Sequence, residues 1–380
     1  MHALKRQINM VLAVVFITLM TQNTVSFAQG VPVMVPDEIP PYPENVPLSP
    51  GRQGAIWAGH ENTPNGGRPE INTVAEMLEV SGYTAPAAIE YARLAALAAD
   101  GNWGPSLFYY CKNPHGGTAL NAEYPVPLEV FDGVYSIGHD ANNIWAIETS
   151  DGIILVDTLN NAEQAYGFIV GNMMRLGLDP LDIKMIIVSH GHGDHSGGVE
   201  YLNELTGAAV GMSEVAYQIA LASGSIPPRD ENDFAITDGM EIVLGDTTLT
   251  ALLTPGHTPG TISLMIPVTW NGEEHMASYM GGAATPRDIE TIDQWRRSME
   301  HIQFYNQALH ADVILGNHTI SDDGLTRIAQ MAEDPSTNPY IVGHEAVLGY
   351  FEAWRMCLGA DIEQKLYDGQ TAESIPSRAR

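Results

Sequence analysis

The six-residue run His190-Gly191-His192-Gly193-Asp194-His195 places three imidazoles and a carboxylate directly after the apolar stretch Met185-Ile186-Ile187-Val188. Imidazole nitrogen and carboxylate oxygen are the donors that zinc prefers, and a strand end followed by glycines can turn such side chains toward one point. The chemistry this suits is attack by a metal-activated water. No serine or cysteine nucleophile is needed, and the Gly-x-Ser-x-Gly elbow is absent.

Two single histidines stand in comparable settings. His257 lies in Thr254-Pro255-Gly256-His257-Thr258-Pro259-Gly260, and His318 in Leu315-Gly316-Asn317-His318. The elements that must position them are strands. Apolar, β-branched segments predict strands over 184–189, 248–253 and 312–315, so each candidate ligand group falls at a strand's C-terminal end. Further strands are expected over 130–137, 144–149, 152–158, 208–212, 241–244, 262–267 and 275–280. Three-to-four spacing predicts helices over 162–176, 199–205 and 288–309, with 338–365 mostly helical. Strands and αβ units alternate in two halves, which predicts an α/β protein of two mixed sheets face to face with helices outside.

Upstream, seven prolines between 32 and 50 mark an extended arm. A helical pattern follows over 73–100, with Val74, Met77 and Leu78 in one helix and Ala87, Tyr91, Leu94, Ala95 and Leu97 in a second. The second helix is opened by Pro86 after a break at Ser81-Gly82. His115, before Gly116-Gly117, reads as a loop histidine. The chain divides into residues 1–28 as a signal peptide, 29–122 as an N-terminal extension, and 123–380 as the metal-bearing domain.

The signal reading rests on Lys5-Arg6, the apolar stretch from Met10 to Met20, and Ser26-Phe27-Ala28 as a cleavage site with small residues at its −3 and −1 positions. The apolar stretch is shorter than the roughly 20 residues of a membrane anchor. Export to the periplasm or beyond is therefore expected, without stable membrane insertion. A formal net charge of −29, from 17 Lys+Arg against 46 Asp+Glu, disfavours nucleic acid and anionic lipid as partners. Such acidity suits solubility better than a funnel for cations. The partner left is a small-molecule substrate, and the sequence leaves the oligomeric state open. Cys111 and Cys357 are either one disulfide tying the N-terminal third to the C-terminal helix or two buried thiols.

The HxHxDH run, the Thr-Pro-Gly-His-Thr-Pro-Gly turn and the upstream Asp157 in Ile154-Leu155-Val156-Asp157-Thr158 together resemble the metallo-β-lactamase fold superfamily, over about residues 125–380. The resemblance implies an αββα sandwich and two Zn²⁺ per chain. His190, His192 and His257 would hold one ion, and Asp194, His195 and His318 the second. Asp157 would orient ligands from behind, and Asp194 would also serve catalysis by fixing the attacking hydroxide and passing on its proton. Many members bridge the metals with an aspartate or cysteine after the strand before the long helix. Here Met280-Gly281-Gly282-Ala283-Ala284-Thr285 offers neither. That absence, with Asp293-Gln294-Trp295-Arg296-Arg297-Ser298 and the segment Glu363 to Gln370, is similar to subclass B3.

The implied function is a secreted dizinc hydrolase opening a cyclic amide, as a β-lactamase does, or else another amide, ester or lactone. Departures bear on the substrate. Gly282-Ala283-Ala284 stands where B3 enzymes often carry serines, and Asn317 and Thr319, not prolines, flank His318. The extension is also atypical and is a candidate cap for the site's mouth or a dimer contact. A zinc-binding interaction protein or a redox di-metal centre is disfavoured, the first by the intact six-ligand set and the second by the scarcity of carboxylate ligands.

Overall fold

The computed structural model describes residues 70–112 and 125–373, together with the backbone of Thr24–Ser26 (β1). The remainder of the signal segment, the proline-rich arm, His115 and the boundary near residue 123 lie outside these residues.

Strands separated by Asp-Gly, Asn-Gly and similar turns pair into two sheets. One has seven strands in chain order: β2 (Leu128–Phe131), β3 (Val134–Ser136), β4 (Trp145–Thr149), β5 (Gly152–Val156), β6 (Ile183–Ile187), β7 (Ala209–Ser213) and β8 (Phe234–Ile236). Its first half is antiparallel, and the ladder turns parallel from β5 onward. The second sheet runs β1, β9 (Met240–Leu244), β10 (Thr247–Leu253), β11 (Ile262–Trp270), β12 (Glu273–Met280) and β13 (Val313–Gly316). Its long central ladder is antiparallel, and β12–β13 is parallel. The single strand expected over 130–137 is in fact the β2–β3 hairpin, because Asp132-Gly133 turns the chain with Gly133 at φ 72°.

Alternate residues of both sheets meet in a dry layer containing Trp145, Ile154, Val156, Ile187, Leu249, Leu264, Tyr279 and Leu315. Each fully buried aliphatic side chain there contributes roughly 1.5–3 kcal/mol relative to exposure. Helices cover both outer faces. The helical segment 162–176, α4 (Val199–Thr206) and α5 (Glu214–Ser223) pack on the first sheet, with α3 (Gly193–Ser196) a single turn inside the metal-ligand run. On the second sheet lie α6 (Ile289–Leu309) and α8 (His344–Glu373), with α7 (Gly324–Glu333) between them in sequence. The expected αββα sandwich is thereby realised.

The extension contributes α1 (Val74–Ser81) and α2 (Pro86–Ala99). Thr73 and Glu76 close α1 with a reciprocal capping box, and Pro86 opens α2 as expected. The buried face of α2 differs from the expected one. Ala88, Ala92, Ala95, Ala96 and Ala99 are inside, whereas Leu94 and Leu97 are exposed. The reason lies on α8, where a Cβ on Gly349 would stand 2.4 Å from Ala98 O and one on Gly359 2.7 Å from the Tyr91 ring. The two helices approach too closely for a leucine face. Residues of the extension share one apolar cluster with α6 and α8, and Cys111 and Cys357 are joined by a disulfide with Cα atoms 4.8 Å apart.

Candidate metal centre

Five loops meet at one edge of the sandwich. Asp157 follows β5, the His190–His195 run follows β6, His257 follows β10, Gly281 follows β12 and His318 follows β13. All six candidate ligands converge there, in two adjoining triads.

In the first triad His190 Nε2 lies 3.0 Å from His257 Nε2 and 3.2 Å from His192 Nδ1, and His257 Nε2 is 3.2 Å from His192 Nδ1. Tetrahedral donors ~2.0–2.1 Å from zinc would stand roughly 3.3 Å apart, close to this triangle. In the second triad His195 Nε2 is 3.0 Å from His318 Nε2 and 3.2 Å from Asp194 Oδ2, which is 3.5 Å from His318 Nε2. His190 and His195 are fully buried, and His192 is exposed.

Hydrogen bonds behind the rings fix their tautomers. His190 Nδ1 donates to Gly281 O (2.9 Å), His257 Nδ1 to Ala284 O (2.9 Å) and His318 Nδ1 to Ala141 O (3.1 Å). A carbonyl only accepts, so in the neutral rings each Nε2 presents a bare lone pair. Burial keeps these rings neutral. It holds His190 well below the usual imidazole range, His257 down at about 4 and His318 at about 3. The lone pairs of His190 and His257 thus face each other at 3.0 Å, a repulsive arrangement that a cation at their convergence makes attractive. The donor set therefore fits zinc.

His195 behaves differently. Burial opposes its charge, but the flanking Asp194 and Asp157 carboxylates outweigh burial and push it up to about 10. Asp194 is driven the other way: burial raises it, but the surrounding imidazoles hold it far below the usual carboxylate range. Asp157 is fully buried. Its Oδ2 accepts from His195 Nδ1 (2.7 Å), Ser189 Oγ (2.9 Å) and Tyr279 Oη (3.0 Å), while Oδ1 accepts from the Ser189 N–H (2.7 Å). It reaches this position through a left-handed backbone at φ 67°, an uncommon conformation that aspartate tolerates better than most residues.

The missing bridge has a steric reason. A Cβ on Gly281 would stand 1.8 Å from Ile262 O, and one on Gly282 2.7 Å from His257 Cβ. No side chain fits at either place, so neither a carboxylate nor a thiol can enter there. Sequence reasoning did not single out Asn142 or Ala141, and took Ala284 only as a position without a hydroxyl. The last two act through backbone carbonyls, which leave no side-chain signature, and Asn142 reads only as part of a turn. On the far side of the centre, Ser106 Oγ from the extension donates to Ile320 O (3.0 Å) and Tyr350 Oη from α8 to Ser321 O (2.7 Å). The extension is thus a buttress for the loop that carries His318.

Two facing sheets, outer helices and a histidine-aspartate cluster at the strand ends define a metallo-β-lactamase fold. Residues 137–268 match the family described as Metallo-beta-lactamase superfamily. Among solved structures it is similar to BJP-1, a subclass B3 metallo-β-lactamase of Bradyrhizobium japonicum, at 28% identity and TM-score 0.54, covering 66% of this chain and 97% of that one. MEM-A1, a subclass B3 enzyme from a soil metagenome library, aligns at 27% identity and TM-score 0.53, covering 66% and 99%.

Curated relatives include the N-acyl homoserine lactonase AttM of Agrobacterium fabrum, 32% identical over 166 residues, and a hydroxyacylglutathione hydrolase of Pseudomonas putida, 37% identical over 104 residues. Those alignments take in 38% and 26% of this chain, and the chain spans 61% and 36% of the length of these two relatives.

Proposed function

We propose that this chain is an exported dizinc hydrolase of B3 type that opens a cyclic amide such as a β-lactam. The observation that carries the reading is the pair of adjoining donor triangles, with edges of 3.0–3.2 Å and 3.0–3.5 Å, in which His190, His195, His257 and His318 already have their outward ring nitrogens engaged. His190, His192 and His257 would hold one ion, and Asp194, His195 and His318 the other. Zinc held there acidifies bound water toward a pKa of ~7 and polarises a carbonyl.

The chain's own residues do the rest. Asp157 fixes the His195 ring, and the carbonyls of Gly281, Ala284 and Ala141 fix the others. The Asp194 carboxylate, with a third of its side chain exposed, fixes the attacking hydroxide by accepting its hydrogen bond and passes that proton on to the departing nitrogen. Export is supported by the basic-apolar-small pattern ending at Ala28 and by the Cys111–Cys357 bond, a linkage that persists in oxidising compartments. Among the described residues no helix is long and apolar enough to cross a membrane.

A second reading, hydrolysis of a lactone or thioester-like acyl substrate, draws support from the lactonase and hydroxyacylglutathione hydrolase relatives. The hydroxyl-poor Gly282-Ala283-Ala284 wall also favours it, since it lacks the serines expected to grip a β-lactam carboxylate. A hydrolysis panel of nitrocefin, a carbapenem, acyl homoserine lactones and aryl esters decides between them, alongside metal analysis. Turnover of the β-lactams is expected. Intact β-lactams with opened lactones would replace the first reading by the second, and fewer than one zinc per chain would overturn both.

A further inference from the structure

We propose that Asn142 is a positioning residue for the second metal position alone, acting through the carboxylate of Asp194. This rests on the dizinc reading above. Asn142 sits in the bend 138–143 between β3 and β4 and is 3% exposed. Its Nδ2 donates to Asp194 Oδ2 at 3.2 Å, approaches Asp194 O at 3.5 Å and lies 3.5 Å from His195 Nε2. The oxygen it holds is the same one that faces His195 and His318. A partly exposed aspartate has two side-chain torsions to fix, and one directed N–H donor selects which oxygen faces the ion and where it stands.

The donor is itself fixed from both sides. Its carbonyl accepts from His139 N (3.0 Å), and the next residue's N–H donates to Asn317 O (3.0 Å). Gly138 is what allows that packing, because a Cβ there would stand 2.1 Å from Asn142 O. Asn143 adds a clasp by donating to Gly316 O (3.0 Å) and to both carboxylate oxygens of Asp322. One residue back, Ala141 O receives His318 Nδ1 (3.1 Å) and the Thr319 N–H (3.1 Å). A single bend therefore reaches two of the three ligands of the second position. The rings of the first triad lean instead on Gly281 and Ala284. That separation makes the inference selective, since loss of the Asn142 amide should loosen one ion and spare the other.

The test is a Co²⁺ and Zn²⁺ titration of the full chain, read by visible absorption and calorimetry, on the native protein, Asn142→Ala and Asn142→Leu. Leucine keeps the branching of asparagine at Cγ, is bulkier and lacks the N–H, so beside the alanine variant and the melting temperature it separates the lost donor from a lost side chain. Both variants should bind the second equivalent ~10–100-fold more weakly, the range typical for partners that orient a ligand. The first equivalent should change by less than about twofold, and the metal-free melting temperature of Asn142→Leu should stay near native. Native-like binding of both equivalents by Asn142→Leu overturns the inference and leaves the dizinc reading standing. So does a loss shared equally by both equivalents with a fallen melting temperature, which would show a role in the fold alone. A native chain that binds fewer than one ion overturns the dizinc reading, and the inference with it.

Discussion

The two triads are built from similar side chains but by different means. The rings of His190 and His257 lean on uncharged backbone carbonyls supplied by the turn after β12, and His192 reaches the site from solvent. The second triad depends on a buried carboxylate, on a bend more than forty residues upstream in the chain, and on a loop braced by the extension and α8. Carbonyl anchors orient an imidazole without changing its charge. Carboxylate anchors also raise its basicity, as the opposite shifts of His195 and His318 show. The ring anchors of the first position are therefore mainly uncharged backbone carbonyls, and the second position rests in addition on a buried carboxylate and a side-chain amide that substitutions can remove.

The largest effect expected from this asymmetry is on turnover. His190→Ala should lower kcat/KM by about 1000-fold or more, roughly 4 kcal/mol of transition-state stabilisation. His318→Ala should retain one tightly bound ion and more activity than His190→Ala. Steady-state kinetics with metal counts would show this, and equal losses would deny the asymmetry. Next, replacing both Cys111 and Cys357 by Ser should destabilise the fold by ~2–5 kcal/mol, measured by denaturant unfolding. Because the extension braces the His318 loop, the second ion should also weaken before the first.

Asp157→Asn comes third, with second-ion affinity falling ~10–100-fold in a chelator competition. A smaller loss should spread to the first ion, because Ser189 lies 2.9 Å from Asp157 and 3.1 Å from His190 Nδ1.

The smallest effect concerns pH. Burial pushes the Asp322 carboxyl up to about 7, against a partial pull down from the Gly316 N–H, Arg327 and Asn143. The folded chain therefore keeps a proton that the unfolded chain gives up near pH 4, so this group makes stability fall as pH rises from about 4 to about 7. Asp322→Asn should flatten that slope in melts taken across the window. An unchanged slope would assign it to other groups.

Much of this was legible in the sequence because the signals were local. Dense donors after an apolar run, Pro86 at a helix start and Asp157 after a strand each carry their cause within a few residues. What escaped notice depends on distant partners. α5, α7 and the short β8 are exceptions that were not foreseen, although Leu325, Ile328 and Met331 recur at helical spacing in α7. The alanine face of α2 was misread because its reason is Gly349 and Gly359, far along the chain. The bend at Asn142 carries only a turn signature, and its partners lie at Asp194, Asn317 and Asp322.

The Cys111–Cys357 bond spans 246 positions, and every one of the six candidate ligands lies between its ends. Covalently, the whole centre sits inside one closed ring. A single peptide-bond cut at an exposed turn within it, such as Asn271-Gly272, opens the ring without releasing a fragment. The nicked protein should migrate as one species on a non-reducing gel and as two after reduction, with its sandwich still closed around the site.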